Sequence, residues 1–157
     1  MPMRQLAAFT VAVAVLACVP TTPLIASSSP IDPGVVDHLV FNTPLTTLRS
    51  ERARAKRVHR WLITATDGCS APLVGSSGTS FNFRLACERH DLAYANYATL
   101  ARLGIGREWN AVLRAAVDDQ FQRDLQASCV KRRRSERLRC DAWAVVFFHA
   151  VRLAAGP

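Results

Sequence analysis

The sequence contains little glycine and proline, seven and eight residues among 157, and this scarcity excludes collagen-like and low-complexity proteins. Lysine is scarcer still, because only two of the twenty basic residues are lysine and eighteen are arginine. Half of the residues are hydrophobic and a fifth are charged, a composition that argues against a disordered chain. The length predicts one domain.

Acidic residues are fewer than basic residues, twelve against twenty, so the formal net charge is +8 at pH 7. Such a balance favours anionic partners, either a lipid surface or nucleic acid, but does not identify a fold.

The chain also lacks an apolar run long enough to span a membrane comfortably. Residues 6–19 form an uncharged apolar run of fourteen residues after Arg4, which is typical of the core of a signal peptide. We therefore expect residues 1–26 to be a signal peptide, 27–45 a proline-containing lead-in or propeptide, and 46–157 the catalytic domain of a secreted protein. Lipoprotein processing, with a lipid anchor on Cys18, is the less favoured alternative.

Five cysteines are an odd number, but Cys18 lies in the predicted signal peptide. The remaining four, Cys69, Cys87, Cys129 and Cys140, form an even set that is typical of a disulfide framework with three possible pairings. Proximity in the sequence favours Cys69–Cys87 and Cys129–Cys140. A zinc site is disfavoured because no pair of cysteines or histidines has the usual ligand spacing.

Strand patterns are missing as well, since no segment shows sustained apolar–polar alternation or a hairpin dipeptide. Apolar residues recur instead at helical spacing. The predicted helical segments are 46–66, 81–103, 107–129 and 140–153. A glycine-containing loop at 67–80 and a charged connector at 132–139 separate them. The predicted fold class is all-α.

The second predicted helix contains the candidate functional side chains. Cys87, His90 and Tyr94 lie three or four residues apart and therefore share one face. If Cys87 is disulfide-bonded this face points inward, and an inward imidazole is either hydrogen-bonded for structural reasons or functional. Structural histidines are the commoner case, so the interpretation depends on the neighbouring carboxylates.

Two of these carboxylates predict a metal site. A Cys69–Cys87 disulfide would bring Asp67, at the head of the loop, close to Asp91 on the helix. Two carboxylates together with backbone carbonyls suit a hard cation, Ca²⁺ above all. Gly68 permits the tight turn that directs a carbonyl towards the same point. No EF-hand pattern occurs, so the site would be assembled across loop and helix.

The third predicted helix offers two candidates for a carboxylate that faces His90. Residues 113, 117 and 121 are apolar and define its inner face. On a helical wheel, Asp124 lies nearer to the centre of this face than Asp118. The periodicity by itself therefore favours Asp124.

Together these motifs resemble the secreted phospholipases A2 of the bacterial and fungal type. The matching residues are Asp67-Gly68-Cys69, Cys87-x-x-His90-Asp91-x-x-Tyr94, Asp118-x-x-Phe121-x-x-Asp124, Cys129 and Cys140. The resemblance extends from about Trp61 to Phe148. It implies a small all-α domain built on two long antiparallel helices that carry the His–Asp site, with two disulfides.

The resemblance implies calcium-dependent hydrolysis of the sn-2 ester of glycerophospholipids, which releases a fatty acid and a lysophospholipid. In this family's pattern His90 matches the general base and Asp118 the carboxylate that orients it. Asp67 and Asp91 match side-chain calcium ligands, and Gly68 matches a backbone carbonyl ligand. No Gly-x-Ser-x-Gly motif of a serine hydrolase occurs.

The expected partner is a phospholipid membrane or micelle surface, with no nucleic acid and a monomeric protein. The main alternative is a non-catalytic cationic module that binds membranes on the same fold. A basic secreted nuclease is less favoured, because the sequence offers one well-placed histidine and no second residue that could act as the acid. The basic stretch 131–139 either binds anionic headgroups or is a solvated loop.

Overall fold

The structure, a computed structural model, describes residues 30–68, 77–78 and 81–154. Residues 1–26, Cys18, Cys69 and most of the 67–80 loop lie outside this part of the chain, so the signal peptide, the lipid anchor and the conformation of that loop stay predictions.

Helices account for most of the described residues, and the all-α prediction is confirmed. A short helix α1, Gly34–Asp37, continues into a π-helix, His38–Asn42, and a 3₁₀ turn, Leu45–Thr47, leads into α2, Leu48–Val58. The long helices are α3, Arg84–Arg102, α4, Ala111–Val130, and α5, Arg134–Ala154. The only strands described are β1, Ser77–Gly78, and β2, Phe81–Asn82, which pair antiparallel with Gly78 opposite Phe81.

The predicted helix 46–66 is too long, because α2 ends at Val58. His59 leaves the helical conformation, and the ammonium group of Lys56 donates hydrogen bonds of 2.7 Å to the carbonyls of Arg60 and Leu62. These bonds hold the chain after the helix in an irregular path. Apolar residues recur at helical spacing beyond Val58, and for this reason the predicted helix extends past the observed end.

The predicted connector 132–139 is also wrong, because α5 begins at Arg134. The helix turns sharply back from α4, where the Arg137 guanidinium donates a 2.6 Å hydrogen bond to the carbonyl of Val130. Glu136 in the first turn complements the positive end of the helix dipole. A high density of charge is compatible with a helix when the side chains face solvent.

Helices α3 and α4 pack antiparallel. The ring centroids of His90 and Phe121 lie 4.9 Å apart, and those of Tyr94 and Trp109 lie 4.8 Å apart. A later residue of α3 is thus opposite an earlier residue at the α4 end, so the two helices run in opposite directions. Asn110 caps the start of α4, because its side-chain oxygen accepts hydrogen bonds from the first turn. The short connection between the helices favours this antiparallel arrangement.

A disulfide joins α4 to α5. Cys129 and Cys140 are bonded, with 5.6 Å between their Cα atoms, which confirms this predicted pair. Closing an eleven-residue separation stabilises the fold by about 3 kcal/mol in the chain-entropy description. Cys87 is also disulfide-bonded, but its predicted partner Cys69 lies outside the described residues, so that pairing stays a prediction.

The apolar core has two parts. One surrounds the disulfide and includes Phe83, Phe121 and Phe147. The other packs residues 36–40 against Leu92 and its neighbours on α3. Part of the predicted lead-in 27–45 therefore belongs to the hydrophobic core. Packed residues lie on both sides of position 46.

Glu88 on α3 connects this helix to α2. Its buried carboxylate accepts two hydrogen bonds from the Arg49 guanidinium, at 2.6 and 3.0 Å, and lies 3.3 Å from both Arg52 and Arg84. These ion pairs lower the pKa of Glu88, the hydrogen bond from Arg49 being the largest cause. Among the helices described, none is long and apolar enough to cross a bilayer.

Candidate active site

The inner face of α3 brings His90 to α4. The Nε2 atom of His90 lies 3.0 Å from Oδ1 of Asp118, and both side chains are buried. The hydroxyl of Tyr94, one turn further along α3, donates a 2.9 Å hydrogen bond to the same oxygen. The Asp118 carboxylate on α4 therefore accepts hydrogen bonds from two side chains on one face of α3.

Aromatic rings fix the orientation of the imidazole. The centroid of the His90 ring lies 4.3 Å from that of Tyr94 and 4.9 Å from that of Phe121. A neutral imidazole that donates its Nε2 hydrogen to Asp118 carries its lone pair on Nδ1. The geometry can thus present a proton acceptor whose tautomer is set by the carboxylate.

Asp118 stays ionised although it is buried. Burial by itself would raise the pKa of Asp118, but the hydrogen bonds from His90 and Tyr94 and the charge of Arg152 outweigh it and lower the pKa. The Arg152 Nε atom lies 3.4 Å from Oδ2 of Asp118. Burial and the bond to Asp118 also raise the pKa of Tyr94, which keeps that hydroxyl protonated as a donor.

Asp124, which the helical wheel favours, does not contact His90. Its Oδ2 atom lies 3.4 Å from Nε of Arg89, and its Oδ1 atom accepts a 3.1 Å hydrogen bond from Gln120. Arg89 is buried and also donates to the carbonyls of Val40 and Thr43. A buried guanidinium thus takes Asp124 as its counter-ion.

The predicted metal ligands lie at the other edge of α3. The hydroxyl of Thr66 and the backbone N–H of Gly68 both donate to Oδ2 of Asp91, the latter at 3.1 Å. Gly68 has φ +67°, a conformation that glycine adopts without strain. The backbone N–H of Gly68 donates a hydrogen bond to Asp91. The sequence instead predicts that the carbonyl of Gly68 is a ligand of the metal.

The electrostatics of Asp91 suit a bound cation. Burial raises the pKa of Asp91, and the nearby negative charge of Asp67 adds to this rise, against the hydrogen bonds from Thr66 and Gly68. A cation would reverse this effect by stabilising the charged form. Both carboxylates line an open cleft of about 570 Å³ together with Thr66 and Tyr94.

The cleft fits a hard cation that retains water ligands. In the described part of the chain no cluster of three histidine, cysteine or acidic side chains is present. The side chains that line the cleft include two carboxylates and the Thr66 hydroxyl, and such oxygen donors suit Ca²⁺ rather than zinc.

Sequence reasoning missed three residues of this region. Thr66 holds Asp91, Arg152 reaches Asp118 from α5, and Arg89 pairs with Asp124. The position of Arg89 next to His90 does not by itself place its side chain inside the protein, because adjacent residues on a helix point about 100° apart. Arg152 lies 34 positions after Asp118 and no motif connects the two.

Comparison with known proteins gives two matches. The family model described as prokaryotic phospholipase A2 matches residues 36–155. A secretory phospholipase A2 of Beauveria bassiana (strain ARSEF 2860) is 29% identical over 140 residues. That alignment covers 85% of this chain and 66% of the relative, so the chain spans slightly less than two thirds of the relative's length.

Proposed function

The chain belongs to the prokaryotic phospholipase A2 family, and from this membership we propose that it hydrolyses the sn-2 ester of glycerophospholipids in a calcium-dependent reaction. The products are a fatty acid and a lysophospholipid. The observation that supports this proposal most directly is the buried pair of His90 and Asp118, with 3.0 Å between Nε2 and Oδ1. A neutral imidazole that donates its Nε2 hydrogen to Asp118 carries its lone pair on Nδ1, where a general base accepts a proton.

In the proposed reaction Nδ1 of His90 takes a proton from a water molecule while the water oxygen attacks the ester carbonyl. The ionised Asp118 stabilises the imidazolium that forms. When the tetrahedral intermediate breaks down, the C–O bond to the glycerol oxygen is cleaved and the imidazolium returns the proton to that leaving oxygen. No protein side chain becomes acylated.

Asp67, Asp91 and the backbone carbonyl of Gly68 would hold the calcium ion. When bound, Ca²⁺ supplies Lewis-acid polarisation of the ester carbonyl and stabilises negative charge on its oxygen. Thr66 orients Asp91 by its hydrogen bond, and the open cleft lets lipid reach this edge of α3.

We also propose that the protein is secreted and acts as a monomer. The apolar run at 6–19 supports export, and the relative from Beauveria bassiana is named a secretory enzyme. The substrate would be presented by a membrane or micelle rather than as free lipid.

Fatty-acid release from phosphatidylcholine vesicles, with calcium and then with excess EDTA, tests the proposal. The proposed enzyme releases fatty acid with calcium and stops when EDTA is added. A non-catalytic cationic module would bind the vesicles, keep that affinity in EDTA and release no fatty acid. Calcium-independent release at the full rate would contradict the metal requirement.

A further inference from the structure

We propose that the solvent-facing side of α5 is the surface that docks onto an anionic phospholipid bilayer; this inference rests on the proposed function, since it assigns the surface that meets the substrate. Four exposed apolar side chains define this side, which we call the α5 stripe. Leu138, Val145, Val146 and Leu153 are 81, 49, 46 and 85% exposed. Steps of seven or eight residues keep them on one helix face.

The stripe is long and separate from the core. Leu138 and Leu153 lie fifteen positions apart, which corresponds to about 22 Å of helix. The opposite face of α5 is buried through Cys140, Ala144 and Phe147. Helix α5 is thus apolar on both sides, and within the described residues only one of these sides is packed against the protein. Exposed apolar side chains grouped along one helix face mark an interaction site.

The charge around the stripe favours an anionic partner. Residues 131–152 contain seven basic and two acidic residues, a net +5 out of the +8 of the whole chain. Residues 131–139 are all exposed. In the described part of the chain no ion pair involves the basic residues of that segment. Their charge is therefore available to the headgroups of an anionic membrane.

Helix α2 gives an internal comparison, because it is also basic, with five basic residues and one acidic residue. Two of its arginines, Arg49 and Arg52, are already paired with Glu88. Its one large exposed apolar side chain is Val58. A nucleic acid would bind a basic face without an apolar stripe, whereas a bilayer uses both charge and apolar contact, as at interfacial amphipathic helices. The combination occurs on α5.

One end of the stripe lies near the candidate active site. Arg152, next to Leu153, lies 3.4 Å from Asp118, and its guanidinium lies over the Phe148 ring at 5.7 Å from the centroid. A bilayer that covers the end of α5 therefore approaches the helix pair that holds His90. Docking on α5 would bring the catalytic residues to the lipid surface without a membrane-spanning helix.

Vesicle cosedimentation tests this assignment, with His90→Gln present in every protein so that lipid is not hydrolysed. The double substitution Leu138→Asp/Leu153→Asp should weaken binding to phosphatidylglycerol-containing vesicles at least about tenfold, because two apolar anchors are lost and negative charge is added. The matched control is Val112→Asp, an equally exposed apolar position on α4 at 76%, which should bind as its parent does. Pure phosphatidylcholine vesicles should bind the parent more weakly than anionic ones.

A second measurement needs no substitution in the stripe. Vesicles should slow hydrogen–deuterium exchange in 134–154 and leave 48–58 unchanged. Equal binding by the stripe variant and the Val112→Asp control, or unchanged exchange in α5, would overturn the proposal. A dimer in the absence of lipid that the stripe variant converts to monomer, seen by analytical ultracentrifugation, would assign the stripe to a second copy instead.

These readouts are independent of turnover. If the unmodified protein releases no fatty acid but the stripe variant loses vesicle binding, the proposed function fails and the docking surface stands. If the unmodified protein is active and the stripe variant binds normally, the docking surface fails alone.

Discussion

The Nε2 atom of His90 lies 3.0 Å from the Oδ1 atom of Asp118, although 28 residues separate the two in the sequence. The pair crosses the interface between α3 and α4 and is enclosed by the rings of Tyr94 and Phe121. The proposed metal ligands, Asp67 and Asp91, are other residues, which line the cleft. Removal of either member and removal of the cation should therefore have separable effects.

Substitution of His90→Gln should lower hydrolysis by about 10²- to 10⁴-fold or more, because no group remains to accept the proton of water. Far-UV circular dichroism should show unchanged helicity. The control His38→Gln changes an exposed imidazole and should retain full activity in the same assay. Full activity of His90→Gln would rule out the proposed mechanism.

Substitution of Asp118→Asn should lower kcat by about 10²- to 10⁴-fold, since an amide no longer fixes the imidazole tautomer or stabilises the imidazolium. Asp119→Asn alters the adjacent, exposed carboxylate and should leave kcat within about twofold. Steady-state kinetics on vesicles measure both. If the two variants behave alike, Asp118 has no orienting role.

Substitution of Asp91→Asn should weaken calcium binding at least about tenfold, because one of two side-chain ligands is lost. Isothermal titration calorimetry measures the affinity directly. Calcium should also raise the melting temperature of the unmodified protein, through preferential binding to the folded state, and this rise should be absent in Asp91→Asn. A calcium affinity unchanged from that of Asp119→Asn would place the metal elsewhere.

Substitution of Arg89→Met should lower the free energy of unfolding by about 3 kcal/mol, since it leaves Asp124 buried without its cation. Burial raises the pKa of Asp124 and the charge of Arg89 opposes this rise, so removal of Arg89 shifts the carboxyl further towards its neutral form and keeps the loss at the lower end of the usual range. The exposed Arg123→Met serves as control and should change stability by less than about 0.5 kcal/mol. Urea denaturation measures both, and equal stabilities would show that the buried pair contributes nothing.

The ion pairs of Glu88 predict a pH dependence with a definite sign. Their effect is to lower the pKa of Glu88 from its ordinary value of 4.5, so the stabilisation is complete above that value and is lost as the pH falls through the lowered pKa. The difference in unfolding free energy between the unmodified protein and Glu88→Gln should therefore be constant from pH 7 to about pH 5 and shrink at lower pH. Glu51→Gln, which removes a carboxylate that has no ion pair within the described part of the chain, should show no such trend. A difference that grows on acidification would contradict the assignment.

The order of the helices and one disulfide were predictable from the sequence, and the reason is local. Apolar spacing reports which residues share a helix face, and Cys129 and Cys140 are close in the chain. Helix ends were less predictable, since α2 stops at Val58 and α5 starts at Arg134 because of side-chain bonds to backbone carbonyls from Lys56 and Arg137. Such bonds depend on the path of the chain outside the helix.

The sequence by itself determined that His90 and Tyr94 occupy one face of a helix, because the geometry of an α-helix depends on the local backbone alone. It also determined that acidic residues follow on the next helix. Only the tertiary structure decided which of them meets the imidazole. The rotation and register of α4 against α3 depend on packing across the whole interface, and the buried guanidinium of Arg89 takes Asp124, so that Asp118 is the carboxylate that faces His90.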